Sequence, residues 1–155
     1  MSKQEKVLQD KEREEYLRQK GVDPGDFPYA GNSLENRLGI TISPTDSDGT
    51  IHAEMPVDSR TCQPFGFLSG GASLALAETL AGYGSFDLCA PGEVPCGLQV
   101  SGSHMAPVPV GERVCASGVL LHRGRTTHVW DISIRLPDGT LISSVRVTNA
   151  IVRHK

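Results

Sequence analysis

One segment constrains the fold of this chain more than any other: Ser69-Gly-Gly-Ala-Ser-Leu-Ala-Leu-Ala-Glu-Thr-Leu-Ala-Gly-Tyr83. It is rich in Ala and Leu, apolar on nearly every face, and reads as a helix. A helix of that kind is wrapped on most sides by protein. The residues on either side have a different period. Leu38–Ser43 and Thr50–Val57 flank the turn Pro44-Thr-Asp-Ser-Asp-Gly49, the pattern of a hairpin. Cys96–Met105, Arg113–His122 and Thr126–Leu136 also read as strands. In the last of these, His128, Trp130, Ile132, Ile134 and Leu136 alternate with Thr127, Asp131, Ser133 and Arg135, as in a sheet with one buried face. After the turn Pro137-Asp138-Gly139, Leu141–Val152 alternates again, with Leu141, Val145, Val147 and Ile151 on one side. One long helix and about six antiparallel strands predict an α+β fold, a sheet curled around a central helix.

Residues 1–20 stand apart, with 11 charges and with Val7, Leu8, Tyr16 and Leu17 as the main apolar positions. Those positions hold a helical repeat for no more than one turn, so the segment reads as a solvated helix or a frayed tail. Gly21 and Pro24 end it, and the stretch to Asn32 is a connector rich in turn formers. We therefore expect a charged appendage over 1–30 and one domain over 31–155.

The chain of 155 residues is 38% hydrophobic and carries a net charge of −3, which leaves no basic footprint for nucleic acid. Its apolar runs are broken well short of a membrane span, and the charged start has no apolar leader segment. Cys62, Cys89, Cys96 and Cys115 form no CxxC pair, so neither a zinc site nor a disulfide framework is expected. Cys89, Cys96 and Cys115 read as packing residues. Together these features predict a cytoplasmic protein without metal, nucleic acid or membrane as partner.

Glu78 is the only Asp, Glu, Lys, Arg or His between Arg60 and Asp87, and it falls in the middle of the apolar helix. A buried carboxylate needs a partner or a purpose, because desolvation disfavours its charged form. Burial also makes it a competent base or nucleophile near neutral pH. Gly70 and Gly71 open the same helix, where free N–H groups and the positive end of the dipole suit a developing oxyanion. Gly70 and Glu78 are eight residues apart, ~12 Å along the axis. One helix therefore does not bring both to one substrate atom, and a site shared between two subunits is the natural expectation.

The run Met55-Pro-Val-Asp-Ser-Arg-Thr-Cys-Gln-Pro-Phe-Gly-Phe-Leu-Ser-Gly-Gly-Ala-Ser-Leu-Ala-Leu-Ala-Glu78 resembles the signature of hotdog-fold acyl-CoA thioesterases. The 1,4-dihydroxy-2-naphthoyl-CoA hydrolases and their enterobactin-pathway paralogues are the most similar type. The resemblance covers Leu34 to Arg153. It implies a helix enclosed by a sheet, dimers that pair their third strands into one continuous sheet, and tetramers built from two dimers. It places the catalytic carboxylate at Glu78, as nucleophile or as base on water. It places the polarising backbone N–H at Gly70 and an orienting amide at Gln63, with Glu78 reaching the Gly70 site of the opposite subunit. Contacts to CoA and the acyl group fall on Gly97, on His104, Met105, Ala106 and Pro107, and on His122, Arg123, Gly124, Arg125, Thr126 and Thr127. No cofactor is implied.

Two positions depart from that pattern. The family usually has His before the two glycines, where this chain has Ser69, which reads as a helix cap beside the catalytic groups. Relatives often carry Ser or Thr four residues after the Glu, where this chain has Gly82. The first reading is thus hydrolysis of an acyl- or aroyl-CoA. The alternative, favoured by Ser69 and Gly82, is an acyl-CoA-binding module with weak or lost turnover. A hotdog dehydratase is disfavoured, since no His lies on the helix. His128 and Trp130 read as core residues on a buried strand face.

Overall fold

The computed structural model describes residues 3–154. Among them, three α-helices, α1 (Lys3–Gln19), α2 (Leu34–Leu38) and α3 (Gly70–Leu88), accompany six strands. The strands are β1 (Thr41–Ser43), β2 (Ile51–Pro56), β3 (Glu93–His104), β4 (Arg113–Arg123), β5 (Thr127–Arg135) and β6 (Leu141–Arg153). They form one antiparallel sheet in the order β1-β2-β4-β5-β6-β3. The long α3 explains why β3 is not beside β2: it crosses the sheet and delivers the chain to the far edge. This is the predicted α+β arrangement, the hotdog fold.

The face of α3 that meets β2–β6 is formed by Ala72, Ser73, Leu76, Ala77, Leu80, Ala81, Gly84 and Ser85, all buried. The spacing is that of one helical face, and the small residues let the backbone approach the sheet. Met55, Val114, Ile132, Ile134, Val145 and Val147 complete the core from the strands. Fully burying one such aliphatic side chain contributes ~1.5–3 kcal/mol. Buried polar atoms are matched across the same interface. Trp130 Nε1 donates to Ser85 Oγ at 2.9 Å, and Asn149 Nδ2 donates to Ala81 O and Ser85 Oγ, each at 3.0 Å.

Several sequence expectations need correction. The helix runs on to Leu88, because Gly84 and Ser85 fit tightly beneath β5 and β6 and do not end it. The first strand begins at Thr41, since Leu34–Leu38 is helical. Ser33 and Asn36 form a reciprocal capping box there, and Gly39 ends the turn at φ 72°, a left-handed conformation natural to glycine. Cys96 is exposed on β3 and is not a packing residue. The N-terminal segment is a helix, yet its last turn is docked and not solvated. Leu17 is buried, Tyr16 packs edge-on against Phe86 with ring centroids 5.7 Å apart, and the Tyr16 hydroxyl donates to the Asp87 carboxylate. Lys20 Nζ donates to Asp87 O at 2.7 Å. The expectation for residues 1, 2 and 155, and for the side chains of Val7 and Leu8, lies outside the described residues.

Candidate active site

The candidate residues gather in three places along α3, a helix ~28 Å long. The first is its N-terminus. Thr61 Oγ1 bonds Pro56 O at 2.8 Å and receives the Asp58 N–H at 3.0 Å, fixing the loop that leaves β2. Gln63 then closes a turn with Phe67, its N–H bonded to Phe67 O at 2.8 Å. Gly66 supplies the positive φ of 83° that this turn requires. A cavity of about 330 Å³ results, bordered by Gln63, Gly70, Ser73, His104, Ala106 and Ser143 among others. The first bonds of α3 run from Ala72 N and Ser73 N to Ser69 O, so the N–H groups of Gly70 and Gly71 precede the intrahelical ladder.

His104 ends β3 and reaches this point. A Cβ on Gly70 would lie 2.7 Å from His104 Nε2, so glycine is what lets the imidazole approach the helix start. The other ring nitrogen, Nδ1, pairs with Ser143 Oγ at 2.8 Å, which fixes the ring. Ser69 is the N-cap residue, but its side chain makes no capping bond, contrary to expectation. Met105 and Pro107 also border the cavity.

The second place is the middle of the helix. Glu78 is exposed in the single chain, which corrects the expectation of burial. The reason is geometric: the buried face uses positions 72, 73, 76, 77, 80, 81, 84 and 85, and Glu78 projects from the opposite side. Its carboxylate lies against β3 at Gly97, where Oε1 fills the space a Cβ would take. The β3–β6 register shifts between Gly97 and Gln99, a bulge at the same point.

The third place is the β4–β5 turn at the C-terminal end of α3. Gly124 N–H bonds Thr127 O at 2.8 Å, with His122 Nε2 crowding Gly124. Arg123 donates to Leu88 O at 3.0 Å and so compensates the negative end of the helix dipole. Arg125 and Thr126 are exposed. A cavity of about 340 Å³ separates this turn from Cys89, Glu93 and His128. His128 is buried as expected, and its Nδ1 is an unbonded buried polar atom among the described residues. Burial, then the charge of Arg123, pushes its pKa down, so the ring stays neutral. Among the described residues no group of three or more His, Cys, Asp or Glu side chains could hold a metal, and no helix is long and apolar enough to cross a membrane.

Sequence reasoning missed Ser73 and Ser143. Ser143 had left a signal: it and Asn149 are polar residues at inward positions of β6, where the alternation otherwise places Val145 and Val147. Each inward polar residue has a bonded task, Ser143 on His104 and Asn149 on α3.

The chain thus combines a polar cradle at the start of α3, a carboxylate on the outer face of that helix and a long strand, β3, at the edge of the sheet. Residues 65–143 match the thioesterase superfamily, and this chain belongs to it. A putative esterase of Pseudomonas aeruginosa is 44% identical over 78% of this chain and 83% of its own. The crystal structure of a glutamine-to-alanine variant of a thioesterase from that organism superposes with TM-score 0.76 at 40% identity, covering 85% of this chain and 95% of that one. A proofreading thioesterase of Klebsiella pneumoniae is 36% identical over 78% of this chain and 87% of its own. A glutamine-to-alanine variant of a Staphylococcus aureus thioesterase has TM-score 0.71 at 38% identity, covering 76% of this chain and 97% of that one. The chain is a hydrolase acting on thioesters.

Proposed function

We propose that this protein hydrolyses the CoA thioester of an acyl or aroyl acid, at sites assembled across a dimer. The carrying observation is the separation of Gly70 and Glu78. Each lies against the same edge strand, Gly70 at His104 and Glu78 at Gly97, seven residues apart. The outer edge of β3 pairs with no strand among the described residues. Antiparallel pairing of two β3 edges, centred near Val100 and Ser101, brings the Gly97 end of one beside the His104 end of the other. Glu78 then faces the partner's Gly70, and the pairing yields two equivalent sites. Two dimers in turn form the tetramer, acting in the cytoplasm, with residues 31–155 as the thioesterase domain.

In this reading the thioester oxygen lies at the start of α3, receiving the Gly70 N–H, with the Gln63 amide orienting the group. Donors aimed at a developing oxyanion contribute roughly 2.7–4 kcal/mol each to the barrier reduction. His104, held by Ser143, adds the side-chain donor that Ser69 does not provide. As a base, Glu78 takes a proton from water as the water oxygen attacks the carbonyl carbon; the C–S bond breaks with its electron pair leaving on sulfur, and Glu78 passes the proton to the CoA thiolate. As a nucleophile, Glu78 attacks that carbon itself and expels the thiolate with the C–S electron pair. Water then cleaves the resulting mixed anhydride, its oxygen going to the free acid and its proton to the thiolate, and the Glu78 carboxylate is restored. Met105, Ala106 and Pro107 receive the pantetheine arm. The β4–β5 turn, through His122, Gly124, Arg125, Thr126 and Thr127, meets the CoA phosphates with its N–H groups and guanidinium. Arg123 contributes by holding that turn on α3. Solved variants of the staphylococcal thioesterase replace a glutamine and a glutamate 15 residues apart, the separation of Gln63 and Glu78, which supports the pairing of those roles.

Thiol release from a panel of acyl- and aroyl-CoA esters tests the reading. Glu78→Gln is expected to lower kcat by about 10³-fold or more in a folded dimer. Undiminished turnover in that variant removes the assignment of Glu78. Binding without turnover in the unaltered protein favours the acyl-CoA-binding module instead, and a fully active monomer in sedimentation removes the shared site.

A further inference from the structure

A third cavity, of about 320 Å³, borders α3 at Thr79, the residue after the candidate carboxylate. Thr79, next to Glu78, and Gly82, one turn further on, form its floor together with Tyr83 and Phe86. The opposite wall comes from Tyr16 and Leu17 of α1 and from Phe27 in the connector. These three wall residues lie outside the region 65–143 that matches the superfamily, so the wall belongs to the appended segment.

The wall is firmly attached. Asp87 is the anchor: it receives the Tyr16 hydroxyl, its backbone oxygen takes Lys20 Nζ, and Thr45 Oγ1 bonds its carboxylate at 3.3 Å. The Lys20 ammonium lies 5.7 Å from the Phe86 ring centroid, a cation–π contact from the same turn. Lys20 O accepts the Gly92 N–H at 3.0 Å, which ties the end of α1 to the entry of β3. Opposite this anchor the floor is open. A Cβ on Gly82 would meet nothing within 4 Å. The lining is mostly apolar, with Arg13, Glu35 and Thr79 also on its border, and Tyr83 donates its hydroxyl to Glu35 Oε1 at 3.0 Å. Burial, reinforced by Glu35, pushes the phenol pKa up to about 12, so the donor keeps its proton.

We propose that Tyr16, Leu17 and Phe27 form the end wall of the acyl cavity, so that the N-terminal segment sets which acyl groups this thioesterase accepts. This rests on the reading of Glu78 as the catalytic carboxylate, since the acyl group must leave the reacting carbonyl toward Thr79 and Gly82. The accepted class is a compact acyl group, aromatic in preference. An apolar cavity of ~150 Å³ holds a benzene, and this one has about twice that space with aromatic edges around it, suited to offset or edge-on ring contacts. A substituted ring or two fused rings fit. A long unbranched chain runs into α1. Its extra methylenes then find no apolar surface, and in an enzyme pocket one methylene is worth roughly 10–200-fold in kcat/KM.

The experiment compares benzoyl-CoA with dodecanoyl-CoA on the full chain. Phe27→Ala and Tyr16→Ala are each expected to raise the dodecanoyl-to-benzoyl ratio of kcat/KM by at least tenfold, and Phe27→Trp to lower it. Most of the change should fall in KM, since the wall touches the remote end of the acyl group. An unchanged ratio in both alanine variants, with their melting temperatures showing that they are folded, overturns the proposal and leaves α1 as packing only. Equilibrium binding of the two esters to Glu78→Gln protein carrying the same wall substitutions gives the ratio without turnover. A shift in that binding ratio supports the wall even if Glu78 proves not to be the catalytic group, so the two readings fail separately.

Discussion

The two faces of α3 do opposite work with similar residues. Gly84 and Gly82 are two positions apart, yet a Cβ on Gly84 would lie 2.8 Å from Ile51 Cδ1 and 2.9 Å from the Trp130 ring, while a Cβ on Gly82 would meet open space. The inner face is closed on the sheet and its polar atoms, Ser85 Oγ and Ala81 O, are bonded by Trp130 and Asn149. The outer face carries Glu78, Thr79 and Gly82, is partly open, and borders the cavity of about 320 Å³. One face stores stability and the other is left partly open around the candidate carboxylate. Substitutions on the two faces should therefore separate folding from turnover.

The sharpest break in that separation is expected at Gly97, which belongs to the sheet edge but makes room for Glu78. A Cβ there takes the place of Glu78 Oε1, and the neighbour that must give way is the end of a flexible side chain. Stability should change little, whereas displacing a reacting group by about 1 Å can lower the rate ~10²-fold. Gly97→Ala is thus expected to reduce kcat by about 10²-fold with an unaltered urea midpoint. A lower midpoint with normal kcat would show that Gly97 serves the strand and not the carboxylate.

Gly84→Ala should do the reverse. Overpacking a closed core costs about 1–3 kcal/mol, and replacing a helical Gly by Ala returns ~1 kcal/mol. The contacts with Ile51 and Trp130 are tight enough that the first effect wins. We expect a net loss of about 1–2 kcal/mol from denaturant unfolding with an unchanged m-value, and kcat within a factor of about two. A rate loss as large as that expected for Gly97→Ala would mean that the inner face also shapes the site.

This division is only half legible in the sequence. Strand alternation identifies the sheet because each strand has one dry face, and the run from Gln63 to Glu78 supplies the candidate catalytic groups. Helix composition does not reveal the outer face. Leu74, Ala75 and Tyr83 are apolar yet only half-buried, so a helix apolar all round reads as wrapped all round although one side is partly open. The lone carboxylate marks that open side. Docking of α1 is hidden for another reason: it uses one turn, Tyr16 and Leu17, and an anchor at Asp87, 71 residues away from Tyr16. No periodic pattern encodes such a contact. Helix α2 escapes notice because its capping box uses Asn36 where Glu or Gln is the familiar partner.

Ser69 sharpens the comparison at the end of the helix shared by both faces. The absence of a capping bond from its side chain means that replacing it should not weaken α3. His104 Nε2 already stands beside Gly70, so the value of a second imidazole depends on the first. We expect His104→Ala to lower kcat, and Ser69→His to restore about tenfold of that loss in the His104→Ala background, with little change in KM. One donor to a developing oxyanion is worth at least that much. Failure of rescue in a folded double variant would place the His104 contribution in ring packing on Ser143 and not in a hydrogen bond to the thioester.

The smallest expected effect is at Gly82, and it runs in opposite directions for the two properties. Gly in a helix interior is about 0.8–1.0 kcal/mol less favourable than Ala. Since a Cβ at Gly82 meets nothing within 4 Å, Gly82→Ala should recover most of that difference, about 0.5–1 kcal/mol, as a raised unfolding midpoint. The same methyl group projects into the floor of the cavity beside Glu78 and removes space from the acyl group. Turnover of a two-ring aroyl-CoA should fall by a few-fold while that of a small acyl-CoA is retained. A glycine kept on an open helix face at the expense of stability is one whose missing side chain serves the substrate. If Gly82→Ala stabilises the fold and leaves the bulky ester unaffected, the acyl group does not pass over position 82, and the cavity behind it does not serve the reaction.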